Sequence, residues 1–139
     1  MAFLMTQIRS WFDPSGVRAR IDAAVAEASL ECAEFIRDKA FEYAPYDETK
    51  PPGEMHLRDT IQVISEAGTH VHHVIATAPW AEPQEFGFIH WRSGKFVKPR
   101  FYMRRAVDEA AALFPQIIGA AAVRQGFHHG RVMGITIGG

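Results

Sequence analysis

The segment from residue 79 to 106 constrains this chain most, because it concentrates aromatic and cationic side chains. Its aromatic residues are Trp80, Phe86, Phe88, Trp91, Phe96, Phe101 and Tyr102, and its cations are Arg92, Lys95, Lys98, Arg100, Arg104 and Arg105. No carboxylate occurs between Glu85 and Asp108. A small domain cannot bury so many rings together with unpaired cations, and buried contacts between proteins favour aromatic and Arg side chains. The segment therefore predicts a surface that a partner covers, although such a surface can also contact the phosphates and bases of a nucleic acid.

The length and composition indicate a single globular domain. A chain of 139 residues is long enough to bury about two thirds of its unfolded surface. Its content of 47% hydrophobic and 22% charged residues is ordinary for a globular protein. The formal net charge of -1 gives no global electrostatic reason for nucleic-acid binding, so such a site has to rest on a local cluster.

Cysteine usage and hydrophobicity indicate a soluble protein of a reducing compartment. Cys32 is the single cysteine, so the chain has neither an internal disulfide nor a zinc-binding cysteine pair. The first residues lack the basic leader and the long apolar run of a signal peptide. We expect no stretch long and apolar enough to span a membrane, and hence no membrane partner.

The N-terminal part predicts a short arm, residues 1–16, followed by a long helix. Asp13 suits a helix N-cap and Pro14 the first helical position. Over residues 15–43 an apolar stripe recurs at helical spacing, formed by Val17, Ile21, Ala24, Val25, Ala28, Cys32, Phe35, Ile36 and Tyr43. The opposite face is acidic and carries Glu27, Glu31, Glu34, Asp38 and Glu42. This face is either solvated, or meets the cations of residues 92–105 on a neighbouring copy, or faces a channel.

The middle of the chain predicts a β-hairpin. Residues 57–66 alternate between apolar and polar as a half-buried strand does, and residues 67–69 suit a turn. Residues 70–78 then form the return strand. A third extended piece is expected over residues 85–90, and Gly94 marks a turn after it.

The C-terminal part predicts a second helix after Pro99, which Pro115 should kink or split. Its apolar stripe consists of Met103, Ala106, Val107, Ala110, Leu113, Phe114, Ile117, Ile118 and Ala121. Residues 17–125 are therefore expected to form one α+β domain, with a small antiparallel sheet packed against the long N-terminal helix and the kinked C-terminal helix. Residues 126–139 form a glycine-rich C-terminal extension that either frays or adds to the sheet edge of a partner.

The sequence offers no catalytic constellation, so we predict neither an enzyme nor a cofactor. His70 and His72 would share one face of a strand, but two imidazoles lack the third ligand that a catalytic zinc site needs. Cys32 lies within an apolar helical stripe, as a small core residue does. Neither a nucleophile elbow nor a phosphate-binding glycine loop is present.

Four short boxes follow one another along the chain. The first box holds Ala44, Pro45 and Asp47, and the second holds Gly53, Leu57, Arg58, Asp59, Thr60 and Ile61. The third box holds Trp80, Ala81, Glu85, Phe86 and Gly87, and the fourth holds Pro99, Phe101, Arg104 and Ala106. In this order and spacing the boxes resemble the small neck or tail-completion proteins of long-tailed phages, the family that includes the minor tail protein Z of lambda-like phages. The resemblance spans roughly residues 17–120.

Two departures from the pattern of that family stand out. Residues 48–52 are extra between the first and second boxes, and Trp80 occupies a position where tyrosine is usual. Pro79 and Pro83 also stiffen a segment that is often a plain strand. The two prolines affect the boundaries of the strands expected in this region.

The resemblance implies a structural virion protein without enzymatic activity. Copies would assemble as a homo-oligomeric ring, a hexamer by analogy, at the head–tail junction of a phage or a phage-like particle. The ring would contact a head-side connector or stopper and the tail terminator or tail-tube proteins, with possible non-specific contact to passing DNA. Assembly would take place in the host cytoplasm, and the protein would reside in the neck or tail of the virion.

In a closed ring, two different patches of one subunit have to be complementary. The predicted basic and aromatic patch consists of Trp80, Phe86, Trp91, Arg92, Lys98, Arg100, Arg104 and Arg105. The predicted acidic patch of the neighbouring copy consists of Glu27, Glu31, Glu34 and Asp38.

The alternative function is a nucleic-acid-binding module that uses residues 91–105, with Trp91, Phe96 and Tyr102 as stacking platforms. A metal-dependent hydrolase that uses His70 and His72 ranks third.

Overall fold

A computed structural model describes residues 14–127 and, beyond them, the backbone at residues 131–132 and 135–136. Its helices are α1 (Pro14–Tyr43), α2 (Ala81–Phe86) and α3 (Tyr102–Arg124), with a 3-10 turn at Leu57–Thr60. Its strands are β1 (Ile61–Ser65), β2 (His72–Ala76), β3 (Phe88–Ile89), β4 (Phe96–Val97), β5 (Arg131–Val132) and β6 (Ile135–Thr136). Within this part of the chain the strands form three antiparallel pairs, β1–β2, β3–β4 and β5–β6. The predicted α+β class, with a small antiparallel sheet and two long helices, is confirmed.

The chain divides into two compact units. The larger unit is Ser29–Phe114, and the smaller one takes the described residues 14–28 together with those from 115 onwards. The N-terminal arm up to residue 13, including the proposed cap, lies outside the described residues. The division into an arm, one domain over residues 17–125 and an extension remains a prediction.

Small side chains form much of the core of the larger unit. Ala40 and Ala44 of α1 lie in one buried cluster with Ala106 of α3. The other buried members are Leu57, Ile61, Ala78, Ala81 and Tyr102. Since alanine adds so little bulk, two helices in contact through it can approach closely, and packing is dense without large apolar side chains.

The same alanine contact recurs in the smaller unit. There Ala24 and Ala28 of α1 are buried with Ala121 of α3, and Ile117 and Ile118 pack against them. This corrects the predicted stripes, because several of their large members are exposed: Ile21, Val25, Val107 and Phe114. Helical spacing predicted the buried faces of α1 and α3 only in part. The buried positions in these clusters are mostly alanines, and the larger apolar residues beside them are exposed.

The first predicted strand is too long at its start. Residues 57–60 form a 3-10 turn in place of a strand, because the hydroxyl of Thr60 donates to the carbonyl of Leu57 (2.8 Å) and accepts from the N–H of Ala78 (3.2 Å). β1 pairs with β2 from Ile61↔Ala76 to Ser65↔His72. Both strands are therefore shorter than the predicted ranges 57–66 and 70–78.

The third predicted extended piece, residues 85–90, is wrong at its start. α2 covers Ala81–Phe86, and only Phe88–Ile89 are extended. Pro83 lies near the start of this helix, where a missing N–H removes no helical hydrogen bond. A proline that suggested a stiff strand is thus compatible with a short helix.

α3 runs without interruption from Tyr102 to Arg124, so the predicted split at Pro115 is wrong. Pro115 and Ala111 are both exposed, so water can hydrate the carbonyl that the proline ring leaves without an N–H donor. The predicted kink remains a prediction.

By length and composition alone, α3 also qualifies as a membrane-spanning helix. This corrects the expectation that no stretch is long and apolar enough. A single helix of this kind is weak support for a membrane protein, because core helices of soluble proteins meet the same requirement. The predicted solubility therefore remains a prediction.

Tyr102 is the largest side chain that is fully buried in the described part of the chain, and its hydroxyl donates to the carbonyl of Ala81 (3.0 Å). Burial, and secondly the carboxylate of Glu85, raise the pKa of Tyr102 to about 12. Because the folded pKa is higher than the unfolded value of about 10, the neutral phenol stabilises the fold below pH 10. That stabilisation is lost as the pH rises from about 10 to about 12.

We therefore expect Tyr102→Phe to lower the free energy of unfolding by about 1 kcal/mol at neutral pH, through the lost hydrogen bond. The variant should also lack the tyrosine ionisation near pH 12 in an ultraviolet titration of the folded protein. Tyr43 and Tyr46 are still present in the variant. If the highest step persisted in the variant, Tyr102 would not be the group that titrates there.

Candidate interaction surface

The four boxes that carry the resemblance meet in one place. Each contributes a buried residue to the core cluster of the larger unit: Ala44 from the first, Leu57 from the second, Ala81 from the third and Ala106 from the fourth. Residues that are far apart in the sequence are therefore neighbours in the fold. At these four positions, packing in a shared core therefore explains the residue types of the boxes.

Glu85 of the third box caps the helix that the fourth box opens. Its carboxylate is buried and accepts hydrogen bonds from the backbone N–H groups of Met103 and Arg104, both at 2.9 Å. A carboxylate at this position satisfies two of the free N–H groups at a helix start and interacts favourably with the helix dipole. Its backbone carbonyl also accepts from the N–H of Phe101 (3.2 Å). This role was not predicted, since the spacing between Glu85 and α3 gives no periodic signal.

Gly87 lets two backbone segments approach closely. Its φ is +84°, and a Cβ built on it would lie 2.7 Å from the carbonyl oxygen of Val97 and 3.0 Å from Cδ of Pro99. A side chain at this position is therefore excluded both by the backbone conformation and by space. The third and fourth boxes are joined here as well.

β3 and β4 form a short hairpin that carries large exposed apolar side chains. Phe88 pairs with Val97 and Ile89 with Phe96, and the turn is closed by the N–H of His90, which donates to the carbonyl of Lys95 (2.8 Å). We call residues 86–98 the aromatic hairpin. Its exposed members, with the exposed fraction of each, are Phe86 (64%), Ile89 (70%), Trp91 (80%) and Phe96 (63%). Apolar side chains clustered at such exposure mark a contact site more often than an ordinary surface.

The cations of this region have no acidic partner within the described residues. The structure shows no ion pair there for Arg92, Lys95, Lys98, Arg100, Arg104 or Arg105. Three of them lie over aromatic rings: Arg92 over Trp91 (4.6 Å), Arg104 over Phe101 (5.5 Å) and Arg105 over Tyr43 (4.0 Å). Their positive charge is therefore not compensated by a neighbouring carboxylate in this part of the chain.

The predicted acidic patch is partly engaged within its own chain. Glu27 forms an ion pair with Arg124, and Asp38 forms one with the adjacent Arg37 at 3.0 Å. Glu31 also has an interaction within the chain, and Glu34 is exposed. A contact between this patch and the cations of a neighbouring copy remains a prediction. Glu34 is the carboxylate with the fewest interactions within the described residues, so it is the most available for such a contact.

Four of the seven aromatic residues in the segment 79–106 are not exposed, because Trp80, Phe88 and Phe101 are half-buried and Tyr102 is buried. Tyr102 is only 2% exposed, so it cannot serve as a stacking platform for a nucleic acid. Trp80 is half-buried, and the ammonium group of Lys50 lies 4.7 Å from its ring centroid. Lys50 belongs to residues 48–52, which are extra relative to the resembled phage neck proteins, and Trp80 stands where those proteins usually have tyrosine. These two departures from the resembled pattern are therefore in contact with each other. Sequence reasoning could not find Lys50, because nothing in the loop indicates where its side chain reaches.

The five histidines that the structure describes do not combine into a metal site. Within the described residues, no group of three His, Cys, Asp or Glu side chains could hold a metal ion. Cys32, His70 and His72 line one small pocket, where His72 shares a hydrogen bond of 2.7 Å with Ser65. Burial raises the pKa of the Cys32 thiol, which disfavours the reactive thiolate.

Comparison with known proteins adds no relative. No family model matches the chain, and no similar protein was found among curated sequences or among solved structures.

Proposed function

We propose that this protein is a structural component of a phage or phage-like particle that forms a ring at the head–tail junction. The observation that carries the proposal is the aromatic hairpin, which combines exposed apolar side chains with cations that have no ion pair within the described residues. Glu85 and Gly87 connect it to the start of α3 and to the backbone of Val97. Such a surface is suited to burial against another protein. The type of assembly, a ring at the head–tail junction, is taken from the resemblance that the four boxes carry.

The hairpin can act as one of the two complementary patches that ring closure requires. Trp91 and Arg92 belong to the residue types that dominate binding energy at protein interfaces, particularly when they are desolvated by the partner. The partners are a second copy of the chain, in a ring that we propose to be hexameric, and the connector or stopper and tail terminator or tail-tube proteins that would flank it. No catalytic step is proposed.

The test is the molar mass of the purified chain by light scattering, alone and with candidate head-side and tail-side proteins. We expect the double variant Trp91→Ala with Phe96→Ala to weaken assembly at least tenfold, because each truncated interface aromatic costs about 1 kcal/mol or more. The matched control is Met55→Ala, since Met55 is similarly exposed (55%) but lies outside the hairpin. Both variants should show the unfolding transition of the parent chain.

A chain that stays monomeric with every candidate partner, or that assembles equally well as the double variant, would rule out this role for the hairpin. Nucleic-acid binding is the second candidate function, because the same exposed rings, and cations without an ion pair in the described residues, also favour it. Tyr102 no longer counts as a stacking residue for this candidate. Monomeric protein that binds single-stranded DNA with an affinity that falls steeply with salt would support that alternative.

A further inference from the structure

A cleft of about 380 Å³ in the larger unit surrounds the contact between Lys50 and Trp80. Its lining residues include Tyr46, Asp47, Lys50, His56, Trp80 and Arg100. We call it the Trp80 cleft.

The walls of the Trp80 cleft are held in place by contacts among themselves and with the adjoining loop. The ammonium group of Lys50 donates to the carbonyl of Met55 (3.0 Å) while it lies over Trp80. The rings of Tyr46 and His56 are stacked with centroids 4.3 Å apart. Because Lys50, Tyr46 and His56 already have partners, these side chains lose little entropy when the cleft binds a ligand.

One cation of the cleft has no side-chain partner within the described residues, so it can meet a ligand. The backbone N–H of Arg100 donates to the carbonyl of Gln84 (2.9 Å), which fixes the start of its side chain. Its guanidinium group, however, makes no hydrogen bond or ion pair with any residue between 14 and 127. Arg100 and Lys50 together present two positive charges beside an aromatic ring.

The cleft also contains one anion, which limits the ligands that fit. The carboxylate of Asp47 accepts from the N–H (2.9 Å) and the hydroxyl (2.6 Å) of Thr49, and these hydrogen bonds lower its pKa, so it stays ionised. The phosphates of a nucleic-acid strand would be repelled by the carboxylate of Asp47, although N–H groups of the bases can donate to a carboxylate. A polypeptide offers a carboxylate to the cations and N–H donors to Asp47, so it matches both signs.

We propose that the Trp80 cleft binds a segment of a partner polypeptide in which a carboxylate stands beside an apolar side chain. The carboxylate is placed at Arg100 and Lys50, and the apolar side chain packs against the accessible part of the Trp80 ring. Trp80 and Arg100 also belong to the predicted basic and aromatic patch, but both lie outside the aromatic hairpin, so the proposal does not depend on ring formation through the hairpin.

The test uses a synthetic probe, the capped tripeptide acetyl-Leu-Glu-Leu-amide, and its neutral counterpart with Gln in place of Glu. Binding is followed through the indole N–H signals in NMR spectra, with the Trp80 signal assigned by Trp80→Phe. We expect the Glu peptide to shift the Trp80 signal saturably and to leave the Trp91 signal in place. The Gln peptide should bind about fivefold more weakly, as expected for the loss of a partly exposed ion pair.

Arg100→Gln should weaken binding of the Glu peptide by a similar factor. Arg18→Gln is the matched control, because Arg18 is exposed and belongs neither to the cleft nor to either predicted ring patch, and it should leave the affinity unchanged. The proposal is overturned if Trp80 shows no saturable shift, if the two peptides bind equally, or if Arg100→Gln has no effect. It is also overturned if a single-stranded oligonucleotide shifts Trp80 more strongly than the Glu peptide does.

Light scattering on the same samples separates this proposal from the proposed function. Loss of peptide binding with assembly intact rejects only the cleft, and loss of assembly with peptide binding intact rejects only the ring.

Discussion

Replacing Glu85 with alanine is expected to lower the free energy of unfolding by about 3 kcal/mol, because the variant leaves two backbone N–H groups at the start of α3 without an acceptor. For a chain of this length the melting temperature should fall by about 10 °C. The loss is large because Glu85 is buried and water has little access to the freed N–H groups. Urea denaturation followed by circular dichroism gives the free-energy difference directly.

The control for this substitution is Glu82→Ala on the same short helix. Glu82 is exposed and makes no hydrogen bond or ion pair with the residues that the structure describes, so we expect a change below about 0.5 kcal/mol. Glu85→Gln should fall between the two, because its amide keeps one acceptor but turns an N–H₂ group toward the second donor. Equal stability of the Glu85 and Glu82 variants would show that the cap contributes nothing.

The long elements of the fold could be predicted from the sequence, because their signals are local. The apolar spacing within α1 and α3, the helix-compatible Pro14 and the alternation around β1 identified these elements. The identity of the buried residues was predicted less well. A periodic pattern ranks large apolar residues first, whereas the helix contacts of both units select alanine.

The elements that were missed depend on contacts between distant residues. α2 is too short to show a period, and its carboxylate has a partner 18 residues further on. Whether Tyr102 is a surface or a core residue depends on the carbonyl of Ala81, which no local pattern reveals. The Trp80 cleft likewise depends on where the side chain of Lys50 reaches, and loop composition does not determine that position. The exposed cations and rings of the hairpin were accessible to sequence reasoning because they follow from composition alone.

Gly87→Ala is the second substitution for which we expect a large effect, a loss of about 3 kcal/mol or more in the free energy of unfolding. The backbone at Gly87 has φ +84° and ψ 165°, a conformation that is almost restricted to glycine. The added methyl group would also lie 2.7 Å from the carbonyl oxygen of Val97, so β4 has to move away from its position beside α2. Since that movement displaces the aromatic hairpin, the fraction that remains folded should also assemble more weakly.

Gly94→Ala separates the two causes of this loss. Gly94 also has a positive φ, +66°, but a Cβ at this position meets no atom within 4 Å. We therefore expect a cost of about 1 kcal/mol from the left-handed conformation alone, with assembly through the hairpin retained. If Gly87→Ala were no more costly than Gly94→Ala in parallel denaturation curves, the close approach of Gly87 to Val97 would not be a constraint on the fold. A larger cost at Gly87 measures what the junction between the third and fourth boxes contributes beyond its backbone conformation.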